Sequence, residues 1–403
     1  MVNKIQALCH AIQQDLFQNI APFWMHHTVD KKNGGFYGRV ANDLSVLEKA
    51  DKGLILTTRI LWTFSALHRF QPSPEFHFMA QRAYSYLIDK FLDPEFGGAY
   101  WMLDYQGKPL VTQKKIYGQA FTIYSLAEYY MAFAQEEALE YAKGIYTLVE
   151  KNSYDIINTG YLEAAKRDWT LSKDMRLSEK DMDEKKSMNT HLHLLEAYTN
   201  LLRAWPDSML RTRLKMLVNN FLCYILDPSS FHFRLFFDEF WNSKSQTISY
   251  GHDLEGSWLL CEAAELLKEE HLTKTIHGLA IKMTDASLKE GFSSQYALYS
   301  EKSDQGDLLA VTDWWQQAES LVAVINAFQI SQQQQYLEWA LHIWQYIEEH
   351  FIDQKHGEWF YQISDKGKPN LEIPKVSEWK CPYHNARACM EAIKRLRQGK
   401  EVN

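Results

Sequence analysis

Apolar and polar residues follow the period of an amphipathic helix in twelve stretches of this chain, at about 4–26, 54–71, 76–91, 117–133, 136–151, 188–203, 208–226, 251–267, 271–288, 314–328, 333–351 and 384–397. The even-numbered stretches start near 54, 117, 188, 251, 314 and 384. That recurrence, about 66 residues, predicts six stacked helix-pair units. Between each odd stretch and the even one after it lies a glycine-punctuated aromatic segment, such as Gly97-Gly98-Ala99-Tyr100-Trp101 or Gly357-Glu358-Trp359-Phe360-Tyr361, which reads as a β-hairpin or extended loop. Two of these segments match in register: Phe91-Leu92-Asp93 leads to Gly97 and Gly107-Lys108-Pro109, and Phe351-Ile352-Asp353 leads to Gly357 and Gly367-Lys368-Pro369.

Helical hairpins either stack as an open solenoid or close into a ring. Even-numbered stretches such as Ile116 to Tyr130 are apolar or aromatic on most faces, which suits helices enclosed by a second layer, and no terminal unit has the polar face of a cap. The pattern therefore predicts an all-α fold, one (α/α)6 barrel spanning 1–403 with short hairpins at one end. The open solenoid is the alternative, since periodicity alone does not show closure.

Composition narrows the function classes. No apolar run reaches the roughly 18 to 20 residues of a membrane span, and the N-terminal residues carry neither a signal-peptide nor a transit-peptide pattern. The five cysteines are widely spaced with no C-x-x-C pair, which fits reduced thiols in a cytoplasmic chain; a monomer or weak homo-oligomer is expected, without support from any motif. A net charge of −8 without a basic cluster excludes a nucleic-acid surface. Aromatic residues make up 14% of the chain, with 13 Trp and 22 Tyr. Most should be core, and a surplus near polar groups is what a sugar-stacking pocket needs.

If the even helices form the inner ring, their first turns converge at one end. Those turns carry Arg59, Tyr117, Asn189, His191 and His193, then His252, Asp253 and Glu255, then Trp314, Trp315 and Glu319, and finally His384. Some have ordinary explanations. Asp253 and Glu255 suit the positive end of a helix dipole, Asn189 is a normal N-cap, Trp314 reads as packing, and His191 is turned about 200° from His193 at 100° per residue. His252 and Glu255 stand at i and i+3, so the carboxylate is placed to fix the imidazole tautomer. His384 lies two inner helices beyond His252, and two imidazoles approaching one carbon from different sides can remove and return a proton. No H-E-x-x-H, G-x-G-x-x-G or Walker loop occurs, so neither a metal nor a nucleotide cofactor is expected.

The strings Asn189 to Tyr198, Gly251 to Trp258, Trp314 to Glu319 and Lys380 to Glu391 resemble the N-acylglucosamine 2-epimerase superfamily, in particular its cellobiose 2-epimerase branch. The likeness runs from Gly34 to Glu391. It implies an (α/α)6 barrel and a cofactor-free reaction on a sugar: ring opening, proton abstraction at C2, a cis-enediolate, and reprotonation on the other face. By motif, His252 and His384 would be the acid/base pair, and His193 and Glu255 would assist ring opening or orient groups. Arg59 would stabilise the enediolate. Tyr117, Asn189, Trp315 and Glu319 would contact the sugar, and Trp379 would sit beneath a second sugar unit. One departure is Gln316, where the tryptophan motif often has proline. A free-aldose 2-epimerase and an aldose–ketose isomerase share this chemistry. A glycoside hydrolase built on Glu255, Glu319 or Asp313 and a non-catalytic sugar-binding barrel are the alternatives from other classes.

Overall fold

The computed structural model describes residues 2–179 and 181–398, and twelve helical rods run through them. The outer rods are α1 (2–27), α3 (74–91), α5 (Glu136–Asn152), α7 (208–225), α9 (Glu270–Glu290) and α11 (334–351); the inner ones are α2 (Leu54–Phe70), α4 (Ile116–Phe133), α6 (Met188–Ala204), α8 (Tyr250–Leu267), α10 (Trp314–Ser331) and α12 (Tyr383–Gln398). Four outer rods, α1, α3, α7 and α11, contain a π-helical turn, in the last three at the C-terminal end.

Each inner helix packs against the next, and α12 packs back against α2, so the ring is closed. The periodicity left a solenoid open; the first and last units exclude it. The strand positions Val40 and Val376 exchange backbone hydrogen bonds of 3.2 and 3.1 Å. Buried side chains add to that seam, with Trp24 Nε1 donating to Glu358 Oε2 at 2.6 Å and Trp359 Nε1 donating to Asp15 Oδ2 at 2.8 Å. Both indoles bury large apolar area while satisfying their one donor, which makes the contact specific as well as stabilising.

The expected hairpin segments are present, and they also pair from one unit to the next. The residues leading into one inner helix pair with the hairpin of the next unit: Lys52 with Leu103, Lys114 with Ala165, Lys186 with Phe237, Ile248 with Lys302, and Thr312 with Ile363. With Val376 and Val40 this makes six links around one rim. Every inner helix starts just beyond its link, which is why their first turns lie at the same end.

The loops entering that rim share a turn. Asp30, Asp93, Asp155, Asp227 and Asp353 each accept backbone N–H groups two and three residues ahead. The residue four on is left-handed, as Gly34 (φ 81°), Gly97 (68°), Thr159 (62°), Phe231 (62°) or Gly357 (79°). In four units a buried lysine locks the aspartate: Lys52–Asp30 at 2.8 Å, Lys114–Asp93 at 3.0 Å, Lys186–Asp155 at 2.8 Å and Lys375–Asp353 at 2.6 Å. Removing either partner of such a pair leaves a stranded charge, at a cost of about 3–5 kcal/mol.

Candidate active site

On that rim a pocket of about 170 Å³ opens among the first turns of the inner helices. Of the sequence-predicted residues, Arg59, Tyr117, Asn189, His193 and His252 line it, together with Glu255, Trp315, Trp379 and His384. Trp314 and Tyr361 complete the wall. Trp314, expected only to pack, meets the Tyr361 ring at a tilt, with centroids 4.5 Å apart. Tyr361 had only a hairpin signature in the sequence. His191 lies outside the pocket; its Nε2 accepts the Tyr161 N–H at 2.9 Å and its Nδ1 donates to the Ser187 carbonyl at 2.7 Å, a fully used core histidine.

His252 and His384 both lie against the Trp315 ring, with centroid separations of 4.7 and 5.6 Å. Each ring is held through Nδ1, which leaves Nε2 for a ligand. The partners differ from the expectation. His252 Nδ1 bonds the Ser249 hydroxyl at 2.7 Å, and Glu255 makes no bond to it. Sharing a helix face was not enough, because Glu255 is drawn to Arg387 Nη2 at 2.6 Å. The carboxylate held against His384 is Glu319, 2.7 Å from its Nδ1. Glu319, expected to contact sugar, is absent from the pocket wall: it is fully buried behind His384 and also accepts from Trp258 Nε1 at 3.0 Å. The i, i+3 relation does operate in His193, whose Nδ1 lies 3.0 Å from Glu196 Oε2.

Arg387 ties these groups together one turn beyond His384. Its guanidinium binds Glu255, Glu319 and Glu196, and also the Tyr383 hydroxyl, which itself donates to Glu196. Three inner helices thus each contribute a buried carboxylate to one cation on a fourth. Glu255, Glu319 and His384 offer ligand atoms within 4.8 Å of one another, the geometry of a possible metal centre. The guanidinium already bridges Glu255 and Glu319, so their charge is met by the protein's own cation.

Arg59, fully inside the rim, donates from Nη2 to the Tyr117 hydroxyl at 2.8 Å, and its guanidinium lies 4.3 Å from the Phe121 ring centre and 4.9 Å from that of Tyr383. Its Nε has no acceptor. A cation among rings with a donor to spare is arranged to receive negative charge.

Burial sets the proton affinities. It depresses His252 to about 3, with help from His193 and Arg59, and it holds His384 well below the imidazole range, with help from Arg59 and Arg387. Both shifts favour the neutral imidazole. Burial, then the charge of Glu319, raises Glu255; burial also raises Glu319 against the pull of Arg387. For Glu196 burial acts in the same direction, but Arg387 and His193 outweigh it and keep the group below the usual carboxylate range.

Two clefts flank the pocket beneath a segment near Leu177 and Ser178 that borders both. One, of about 470 Å³, shares Trp379 with the pocket and adds Trp101, the two indoles lying 5.9 Å apart. The other, of about 430 Å³, shares Asn189 and His252. Gln316 keeps the tryptophans in place: its side chain accepts from Asp313 N and donates to Ser300, closing a capping box at the start of α10.

Comparison with known proteins agrees with this architecture. The chain is 44% identical to a cellobiose 2-epimerase of Bacteroides fragilis over 96% of its own length and 99% of that protein's. The solved cellobiose 2-epimerase of Bacillus thermoamylovorans superposes with a TM-score of 0.92 at 36% identity, covering 97% of this chain and 100% of that one. A sugar epimerase from a ruminal bacterium gives 0.92 at 37% identity, covering 96% and 98%. The profile of the N-acylglucosamine 2-epimerase (GlcNAc 2-epimerase) family matches residues 35–388, and the chain belongs to that family.

Proposed function

We propose that the protein is a 2-epimerase acting on the reducing-end sugar of cellobiose-type β-1,4 disaccharides, interconverting glucose and mannose there. The observation that carries this reading is the pair of imidazoles, His252 and His384, both against the Trp315 ring in a pocket that also holds Arg59.

With the sugar ring open, one imidazole takes the proton from C2. The C–H electron pair forms a C1–C2 double bond and the aldehyde oxygen becomes an enediolate oxygen. The other imidazole takes up a proton, which the negative charge of the enediolate favours, and delivers it to C2 on the opposite face, so the sugar gains and loses one proton and nothing is oxidised. Positioned proton transfer of this kind contributes about 10² to 10⁴ in rate. The Arg59 cation faces the developing oxyanion in a site poor in water, where it acts far more strongly than in solution. Glu319 steadies His384 when that ring is charged, and His193, held by Glu196, is placed to move the proton that opens the sugar ring. These residues supply each proton-transfer and charge-stabilising group. The relatives' substrate and the cleft beside Trp379 and Trp101 support a disaccharide, with the second sugar over Trp379.

The test is incubation with cellobiose in deuterated water. Epimerisation gives 4-O-glucosylmannose carrying deuterium at C2. A 2-ketose product would indicate isomerisation, free glucose without label would indicate hydrolysis, and unchanged, unlabelled cellobiose would end the reading. Among the described residues no helix is long and apolar enough to cross a membrane, and Cys223, Cys261, Cys381 and Cys389 are free thiols; we place the enzyme in the cytoplasm on the second of these.

A further inference from the structure

The barrel lumen contains a second cavity, of about 340 Å³, formed by residues farther along the same inner helices. Trp62 and Arg69 line it from α2, Arg203 from α6, Trp258 from α8, and Arg387 and Lys394 from α12. At 1.5 Å per residue Arg69 lies about 15 Å beyond Arg59 along α2, so this cavity belongs to the opposite end of the barrel. Arg387, Tyr383 and Trp258 make the partition, with the guanidinium 4.2 Å from the Tyr383 ring centre and 4.8 Å from that of Trp258.

Hydrogen-bond accounting there is one-sided. The lining carboxylates have basic partners: Glu128 with Arg69 at 2.6 Å, Glu262 with Arg203 at 3.0 Å and Glu391 with Arg395 at 3.0 Å. Two donors have no acceptor, Trp62 Nε1 and Arg387 Nε, on side chains respectively 7% and 2% exposed. A buried polar group left unpaired in a native fold calls for a partner. The acceptors missing from the wall are those for these two N–H groups; Arg69, Arg203 and Lys394 also line it, each as the partner of one of the lining carboxylates.

We propose that this lower cavity binds a small oxyanion, a carboxylate or phosphate group, through the Trp62 and Arg387 N–H donors and the surrounding cations. An ionised carboxylate or phosphate dianion offers acceptors only, and hydrogen bonds to it are charge-assisted. Arg387 is shared with the site above, where it holds Glu196, Glu255 and Glu319, so occupancy below is linked to sugar binding, and the linkage runs both ways.

The experiment is isothermal titration of the full-length protein with sodium phosphate and, separately, sodium succinate, at ionic strength matched with sodium chloride. Saturable uptake is expected for at least one of the two, and which one assigns the ligand group. Trp62→Phe keeps a ring and removes the N–H; Arg203→Gln removes a cation from the wall. Each should weaken uptake about tenfold, the scale of one charge-assisted hydrogen bond. A cooperative thermal transition checks that Trp62→Phe folds, and Arg69→Gln replaces it if not. No uptake beyond that of chloride, or uptake unchanged by these substitutions, would overturn the proposal. So would uptake that cellobiose abolishes while the substitutions leave it intact, since the anion would then sit beside Arg59.

Discussion

Replacing Glu319 by Gln tests whether the carboxylate behind His384 serves proton transfer or sugar binding. The side chain keeps its size, and its oxygen can still accept from His384 Nδ1, now 2.7 Å away, and the amide stays close to Trp258. What is lost is a negative charge facing an imidazole that becomes positive during turnover. Two unit charges 4 Å apart interact by about 4 kcal/mol at an effective dielectric constant of 20. Arg387, 2.7 Å from the same oxygen, already meets part of that charge, so roughly 2–4 kcal/mol is the expected rise in barrier. That corresponds to a fall in kcat of about 30- to 1,000-fold. KM should change little, because Glu319 is outside the pocket wall. The assay is initial-rate epimerisation of cellobiose at alkaline pH, which favours the ionised carboxylate, with C2 deuterium incorporation as a second readout. A raised KM with kcat preserved would refute the reasoning and return Glu319 to the sugar-contacting role that the sequence motif implies.

Either His252→Asn or His384→Asn should abolish epimerisation with the melting temperature near that of the parent; substantial turnover in either variant would remove that ring from the relay. Trp379→Ala should lower kcat/KM for cellobiose more than for free mannose, and equal losses would argue against stacking of the second sugar. Glu163 concerns stability. It is buried, accepts from Ser187 N and the Thr190 hydroxyl, and burial pushes it up to about 8 from 4.5. The folded chain therefore holds this proton more tightly than the unfolded one. Below pH 4.5 the group costs nothing, and stability falls as pH rises through the window to about 8, by roughly 1.4 kcal/mol per unit. Thermal melts of Glu163→Gln against the parent should diverge across that window in favour of the variant. A constant difference from pH 5 to pH 8 would show that Glu163 does not titrate there.

The ring itself was legible because helix periodicity and the unit repeat are local patterns that survive in one dimension. Closure was not, since it depends on Val40 meeting Val376 and on Trp24 reaching Glu358, contacts more than 330 residues apart. The pocket residues could be read from helix starts. The groups behind them were not assigned: Tyr383 and Arg387 lie within the Lys380 to Glu391 string and Ser249 outside any string, and none of the three carried a role. A usable signal existed for Glu196 and Arg387, each three residues beyond a pocket histidine. The same rule misassigned Glu255 to His252, because the i, i+3 relation makes a contact available and a nearby guanidinium competes for it. The rim lysines at 52, 114, 186 and 375 followed the repeat closely, yet a buried Lys–Asp lock is visible only once the turn is seen folded.

Arg387 resides on the final helix, whereas the carboxylates it gathers come from three earlier ones. During synthesis on the ribosome those acids are made long before their cation, so the lumen can close around them only once it has emerged. The catalytic chamber is thus completed last, and a product cut short ahead of α12 would lack both a proton carrier and the charge that lets the lumen close.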